Sequence, residues 1–135
     1  MRLFIKSIIS KDDADSLKPG RQDFNNPIIK KIISKLEDYI GKRTYTSPSY
    51  CDVQDAEKGH GWHIDTGSMK HMEWCNYGVS ILLRKSDDGI FKYKEPIKEY
   101  TQDEHYLNAL VHSSNQWHKR EDATRGRRVL LMFLA

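Results

Sequence analysis

Tyr77-Gly78-Val79-Ser80-Ile81-Leu82-Leu83-Arg84 is a mostly apolar run, and Lys85-Ser86-Asp87-Asp88-Gly89 follows it directly. A short apolar run closed by Asp-Asp-Gly reads as a strand ending in a turn. Gly89–Tyr93 then reads as the next strand. Ser49–Gln54, Trp62–Asp65, Leu107–His112 and Arg127–Leu134 read as further short strands between turn residues. Several short strands at modest spacing are the pattern of a sandwich or barrel.

One segment has a different period. Ile28, Ile29, Ile32, Ile33, Leu36, Tyr39 and Ile40 recur at helical spacing, with Lys30, Lys31, Lys35, Glu37 and Asp38 between them. Asn26 suits the N-cap, Pro27 the first helical position and Gly41 the stop. A helix with one apolar stripe must bury it, and a sheet is the surface at hand. Leu3–Ile9 reads as an edge strand. Residues 10–26, polar and carrying Pro19 and Gly20, read as a loop. The expectation is a mainly β fold with a flanking helix, of the jelly-roll kind. The 135 residues have room for one domain. Within it, residues 1–44 carry the N-terminal strand and supporting helix, and residues 45–135 the jelly-roll core.

Composition narrows the function classes. Twenty-two basic and 19 acidic residues give a net charge of +3. The charges are interspersed, which argues against a nucleic-acid partner. No apolar run approaches the ~20 residues of a membrane span. Met1 to Ile9 lacks the longer apolar stretch and small-residue cleavage site of a signal peptide, so a cytoplasmic location is expected. Two cysteines, Cys51 and Cys75, exclude a disulfide framework and a four-cysteine zinc site.

The chemistry sits in His63-Ile64-Asp65. In an extended segment, residues two apart share a face, so an imidazole and a carboxylate converge. His118 lies 53 residues beyond Asp65. Two histidines and one carboxylate form the facial triad that holds non-haem iron(II) and leaves positions open. Arg128 follows His118 by ten residues, past Gly126. In the strand Arg127–Leu134, Arg128 shares a face with Leu130, Met132 and Leu134. Arg127 shares the other with Val129, Leu131 and Phe133. An arginine facing an apolar interior needs an anion, and a bound dicarboxylate would supply it. Arg127 is the rival, because a one-residue register shift exchanges the faces. The alternation favours Arg128.

Several blocks in this order resemble the iron(II)- and 2-oxoglutarate-dependent dioxygenases, in particular their prolyl 4-hydroxylase-like branch. The blocks are Trp62-His63-Ile64-Asp65, Gly78–Leu83, Asp88–Phe91, Leu110–His118 and Thr124–Arg128 running into the last strand. The resemblance covers roughly residues 45–135. It implies a double-stranded β-helix core, with iron(II) on His63, Asp65 and His118 and the 2-oxoglutarate 5-carboxylate on Arg128. The implied activity is dioxygen-dependent hydroxylation of an unactivated C–H bond, with release of succinate and carbon dioxide. A carboxylate at position 65 argues for hydroxylation over halogenation. The default substrate is a prolyl residue in a peptide or protein. The alternatives are a small molecule, a nucleic-acid base, or a non-catalytic metal-binding jelly roll. The sequence departs from the family's pattern at the secondary cosubstrate anchors. Tyr50 lies upstream of the usual tyrosine position, which falls nearer Val53 or Gln54, and Leu130 stands where a Ser or Thr is usual.

The remaining candidates read as structural. His60 and His71 read as polar loop positions, His112 as a satisfied core histidine and His105 as exposed. Trp62, Trp74 and Trp117 read as packing, Cys75 as an inert thiol, and Lys119–Asp122 as a solvated turn.

Overall fold

The computed structural model describes residues 1–42, 48–66 and 72–135. Ten strands and three helices are described: β1 (Arg2–Ile5), α1 (Lys11–Ser16), β2 (Gly20–Gln22), α2 (Pro27–Ile40), β3 (Tyr50–Asp55), β4 (His60–His63), β5 (Tyr77–Arg84), β6 (Phe91–Tyr93), β7 (Lys98–Tyr100), α3 (Gln102–His105), β8 (Ala109–Ser113), β9 (His118–Arg120) and β10 (Arg128–Leu134). They form a six-stranded sheet, β1-β8-β5-β10-β3-β2, and a four-stranded sheet, β4-β9-β6-β7. All the strand pairs are antiparallel. The mainly β jelly-roll expectation holds, and each expected core strand appears within two residues of its place.

The helix α2 forms as its pattern dictates. The Asn26 side chain accepts from Ile28 N–H, Pro27 opens the first turn, and Gly41 ends it at φ 82°, a region glycine enters without strain. Its stripe of Ile29, Ile32, Ile33, Leu36 and Ile40 packs on Cys51, Val53, Val79, Ile81, Val111, Leu130, Met132 and Leu134 of the larger sheet. Each fully buried aliphatic side chain here is worth about 1.5–3 kcal/mol. The same contact assigns the strand faces. One face of β3, β5, β8 and β10 meets the helix, and the other looks across to the smaller sheet.

The N-terminal segment differs from its reading. The edge strand β1 stops at Ile5, and the chain turns at Ser7, whose N–H donates to Asn108 Oδ1 at 2.8 Å. Ile8 and Ile9 then enter the helix-side core. Residues 10–26 are not a simple loop. Ser10 caps the short α1, with its hydroxyl accepting from Asp13 N–H, and β2 pairs with β3. Only Ala14 of α1 is buried, so its sequence carries no periodic signal. The brief strands β7 and β9 are likewise too short to show a period. No helix among the described residues is long and apolar enough to cross a membrane.

His105 is buried, not exposed. It lies in the last turn of α3, with Nε2 donating to the Ser80 carbonyl at 2.9 Å. Burial pushes its pKa down to about 4, the hydrogen bond opposing only in part.

Two outcomes follow. Leu36→Ala should cost about 2–5 kcal/mol in denaturant unfolding, whereas Tyr39→Ala, on the exposed side of the same helix, should stay within about 0.5 kcal/mol. The unfolded chain protonates His105 near pH 6.5 and the folded chain near 4. Its contribution is therefore intact above pH 6.5 and declines as pH falls towards 4. His105→Gln keeps a donor for Ser80 and cannot charge, so its stability should fall less between pH 7 and 5. An unchanged slope would contradict that assignment.

Candidate metal centre and cavity

Between the two sheets lies a cavity of about 930 Å³ that opens to solvent. The larger sheet contributes Tyr50, Asp52 and Gln54 from β3, Gly78 and Ser80 from β5, His112 from β8, and Leu131 and Phe133 from β10. The smaller sheet contributes His60, Trp62, His63, Phe91, His118 and Arg120.

His63, Asp65 and His118 meet in this cavity, with one ligand atom from each lying within 4.8 Å of the others. His63 ends β4 opposite His118, which opens β9. Asp65 lies just past the end of β4, where its N–H donates to the Ser114 carbonyl at 2.9 Å. The pair converges through this anchor as well as through strand alternation. His63 Nδ1 is 2.7 Å from the Gly61 carbonyl, and His118 Nδ1 is 2.7 Å from the Gln116 carbonyl. A carbonyl only accepts, so each Nδ1 carries the proton and each Nε2 is left free to bind a metal. His118 Nε2 lies 3.2 Å from Asp65 Oδ1. Two acceptor atoms at that distance call for a cation between them, and two imidazoles with one carboxylate suit iron(II). The donor set therefore fits the expected metal.

Asp65 is buried. Burial opposes its ionisation, but the hydrogen bond from His112, with His118 close by, outweighs that and holds its carboxyl well below the usual range. His112 Nε2 lies 3.0 Å from Asp65 Oδ2, and Tyr93 Oη lies 2.9 Å from His112 Nδ1. Gly78 makes room for the pair. A Cβ there would fall inside the Asp65 carboxylate and 2.6 Å from His112 Nε2.

The arginines differ from their reading. Arg128 does not face the cavity. Its Nε lies 2.7 Å from Asp55 Oδ1, its Nη2 lies 3.2 Å from Asp55 Oδ2, and its Nη1 donates to the Leu17 carbonyl at 3.3 Å. It does share a face with Leu130, Met132 and Leu134, as the alternation requires, but that face meets the helices. Arg127 is on the inward side and almost fully buried, with Nε donating to the Ala56 carbonyl and Nη1 to the Glu121 carbonyl. It lines a small cleft that shares Phe91 and Arg120 with the main cavity.

Arg120 is the residue the sequence reading missed. It belongs to β9, not to a solvated turn, and only 8% of it is exposed. Its Nη2 makes a long hydrogen bond to the Lys58 carbonyl at 3.5 Å, and its buried Nε has no partner among the described residues. Burial, with Arg127 adding repulsion, pushes its pKa down to about 10. Among the described residues the buried Ser80 hydroxyl, also on the cavity wall, has no partner either, nor does Nη2 of Arg127 in the adjoining cleft. A buried guanidinium without an anion is costly, so this part of the cavity is built for one. Arg120 stands two residues after His118 and shares its face in the extended β9, but three residues are too few for that alternation to be read from the sequence.

The other candidates are placed as follows. His112 is a satisfied core histidine as expected, yet it touches Asp65. His60, Trp62 and Trp117 line the cavity. Lys94 Nζ lies 5.3 Å from the Trp62 ring centre and 5.8 Å from that of Trp117. Trp74 packs beside Tyr50. Tyr50 and Gln54 both face the cavity, whereas Val53 and Leu130 belong to the helix-side core. Both thiols are buried, and burial pushes Cys51 to about 11 and Cys75 to about 12. His71 lies outside the described residues.

Gly78→Ala tests the crowding. The added methyl must displace Asp65 or His112, so cobalt(II) affinity should fall by at least about tenfold while the far-UV circular dichroism stays as in the parent. Unchanged affinity would show that the carboxylate does not need this space.

No family model matches the sequence, and no curated protein matches it. Solved structures do. A prolyl-4-hydroxylase from Pseudomonas putida superposes with a TM-score of 0.72 at 12% identity, covering 98% of this chain and 83% of that one. The truncated viral collagen prolyl hydroxylase vCPH from Paramecium Bursaria Chlorella virus-1 gives 0.70 at 9%, covering 98% and 87%. EvdO2 from Micromonospora carbonacea var. aurantiaca, complexed with 2-oxoglutarate, gives 0.64 at 13%, covering 99% and 86%. At these identities the likeness is one of architecture: the chain has the jelly-roll fold of the prolyl 4-hydroxylases and related 2-oxoglutarate oxygenases.

Proposed function

We propose that this protein is an iron(II)- and 2-oxoglutarate-dependent oxygenase that hydroxylates an unactivated C–H bond. The observation that carries the reading is the pairing, in one cavity, of the His63, Asp65 and His118 cluster with the partnerless buried donors of Arg120 and Ser80. A metal triad alone fits many chemistries. A triad with a desolvated cation in the same cavity wall fits a ligand that chelates metal at one end and carries an anion at the other. The fold likeness points the same way.

The metal would be held by His63 Nε2, His118 Nε2 and one oxygen of Asp65. Bound iron(II) supplies dioxygen activation; the chain's own residues supply the rest. Arg120 takes the far carboxylate of 2-oxoglutarate in place of Arg128, and Ser80 donates a second hydrogen bond. Arg127, donating to two carbonyls and with its buried Nη2 unpartnered among the described residues, lends positive potential from the adjoining cleft. Phe91 stacks on His118, with ring centres 5.7 Å apart and planes 8° from parallel, and keeps that wall dry.

For the substrate we propose a prolyl residue in a peptide or protein. Support comes from the two prolyl hydroxylases of like fold and from the partly exposed rings of Trp62 and Trp117 on the cavity wall. Flat aromatic faces accept the apolar edge of a pyrrolidine ring.

Iron-loaded protein given 2-oxoglutarate and a panel of proline-containing peptides should form succinate. Arg120→Ala should raise the 2-oxoglutarate concentration for half-maximal rate about tenfold or more, since a charge-assisted hydrogen bond contributes about 1.5–3 kcal/mol. Arg128→Ala should leave it nearly unchanged. Protein that neither binds nor decarboxylates 2-oxoglutarate would end the proposal, and a larger effect of Arg128→Ala would reverse the assignment of the strand's faces.

A further inference from the structure

Asp65 has two carboxylate oxygens with different surroundings. Oδ1 faces His118 Nε2 at 3.2 Å, within the metal cluster. Oδ2 faces away from that contact, to His112 Nε2 at 3.0 Å. A carboxylate only accepts, so His112 Nε2 carries the proton and its Nδ1 is left with a lone pair. That lone pair has a matching donor in the Tyr93 hydroxyl at 2.9 Å. Both side chains are almost fully buried, His112 being 2% and Tyr93 1% exposed. Gly78 completes the arrangement, because any side chain there would occupy the space in which Asp65 and His112 meet.

We propose that His112 is a positioning residue that holds Asp65 as a one-oxygen metal ligand, with Tyr93 fixing the tautomer of the His112 ring. The proposal rests on the metal centre of the reading above. An oxygen already accepting a hydrogen bond from a buried imidazole is withheld from the metal, so Asp65 occupies one coordination position and not two. Two histidines and a one-oxygen carboxylate leave three positions open on a six-coordinate ion, enough for a two-point chelating cosubstrate and a third ligand. A carboxylate free to swing would close one of them. The chain runs from β6 through β8 to the metal ligand, so it joins the smaller sheet to the larger one at the point where the ligands meet.

Cobalt(II) is the probe, because its visible spectrum reports coordination number as well as binding. His112→Leu should weaken cobalt(II) binding about 10–100-fold and alter the spectrum. His112→Gln, whose amide can still donate to Asp65, should recover most of the loss. Tyr93→Phe removes one oxygen at nearly constant volume and should weaken binding in the same direction by a smaller factor. Thermal melts of each variant separate loss of fold from loss of geometry. If His112→Leu does not fold, His112→Gln and Tyr93→Phe carry the comparison. The proposal is overturned if folded His112→Leu binds cobalt(II) as the parent does with the same spectrum. It is also overturned if folded His112→Gln binds no better than folded His112→Leu, or if Tyr93→Phe changes nothing. A parent protein that takes up no cobalt(II) removes the metal centre itself; parent binding with an unaffected His112→Leu removes only the role of His112.

Discussion

A carboxylate taken out of water has to be satisfied on both of its oxygens, and Asp65 sets that demand for the whole centre of this molecule. One oxygen is met by His112 and the other looks toward His118. Those two histidines come from different sheets, so satisfying Asp65 fixes how the sheets face one another. Gly78 is required because the meeting point has no room for a side chain. Tyr93 is required because an imidazole that donates through one nitrogen must accept through the other. A single buried charge thus accounts for a glycine, a tyrosine and a histidine that are far apart in the chain.

The second constraint is the face of the last strand. β10 is apolar on both sides, and alternation alone does not say which side meets the helices. The helix α2 presents an unbroken aliphatic stripe and takes Leu130, Met132 and Leu134. Arg128, of the same parity, is carried outward to Asp55. The cavity receives Leu131 and Phe133, and Arg127 is drawn into backbone carbonyls beside it. The buried positive charge in the cavity wall therefore comes from β9, through Arg120, while the exposed Arg21 of β2 lines the same cavity over the Tyr50 ring. Two guanidiniums buried near each other, neither in direct contact with a carboxylate among the described residues, are an unfavourable arrangement for an empty protein and a favourable one for a protein that binds an anion.

Some of this was legible in the chain. The pair His63 and Asp65 is a weak signal alone and stood out because the later His118, its Ser-rich lead-in and the strand after Gly126 follow it in order, and the strand β5 and helix α2 had periods long enough to read. The arginine was not legible. Choosing between Arg127 and Arg128 depends on which layer covers which face, and β9 is too short to display the alternation that would have exposed Arg120. His105 read as exposed because it stands among polar residues, yet the short α3 turns it inward onto the Ser80 carbonyl.

By itself, then, the sequence determined the class of fold, the supporting helix and the identity of three side chains suited to one metal, since periodicity and residue chemistry are local properties. The tertiary structure alone decided which arginine meets the cavity, which oxygen of Asp65 is free, and why positions 78, 93 and 112 matter. Those depend on contacts between segments distant in the chain, and no local pattern records the distance between two buried atoms.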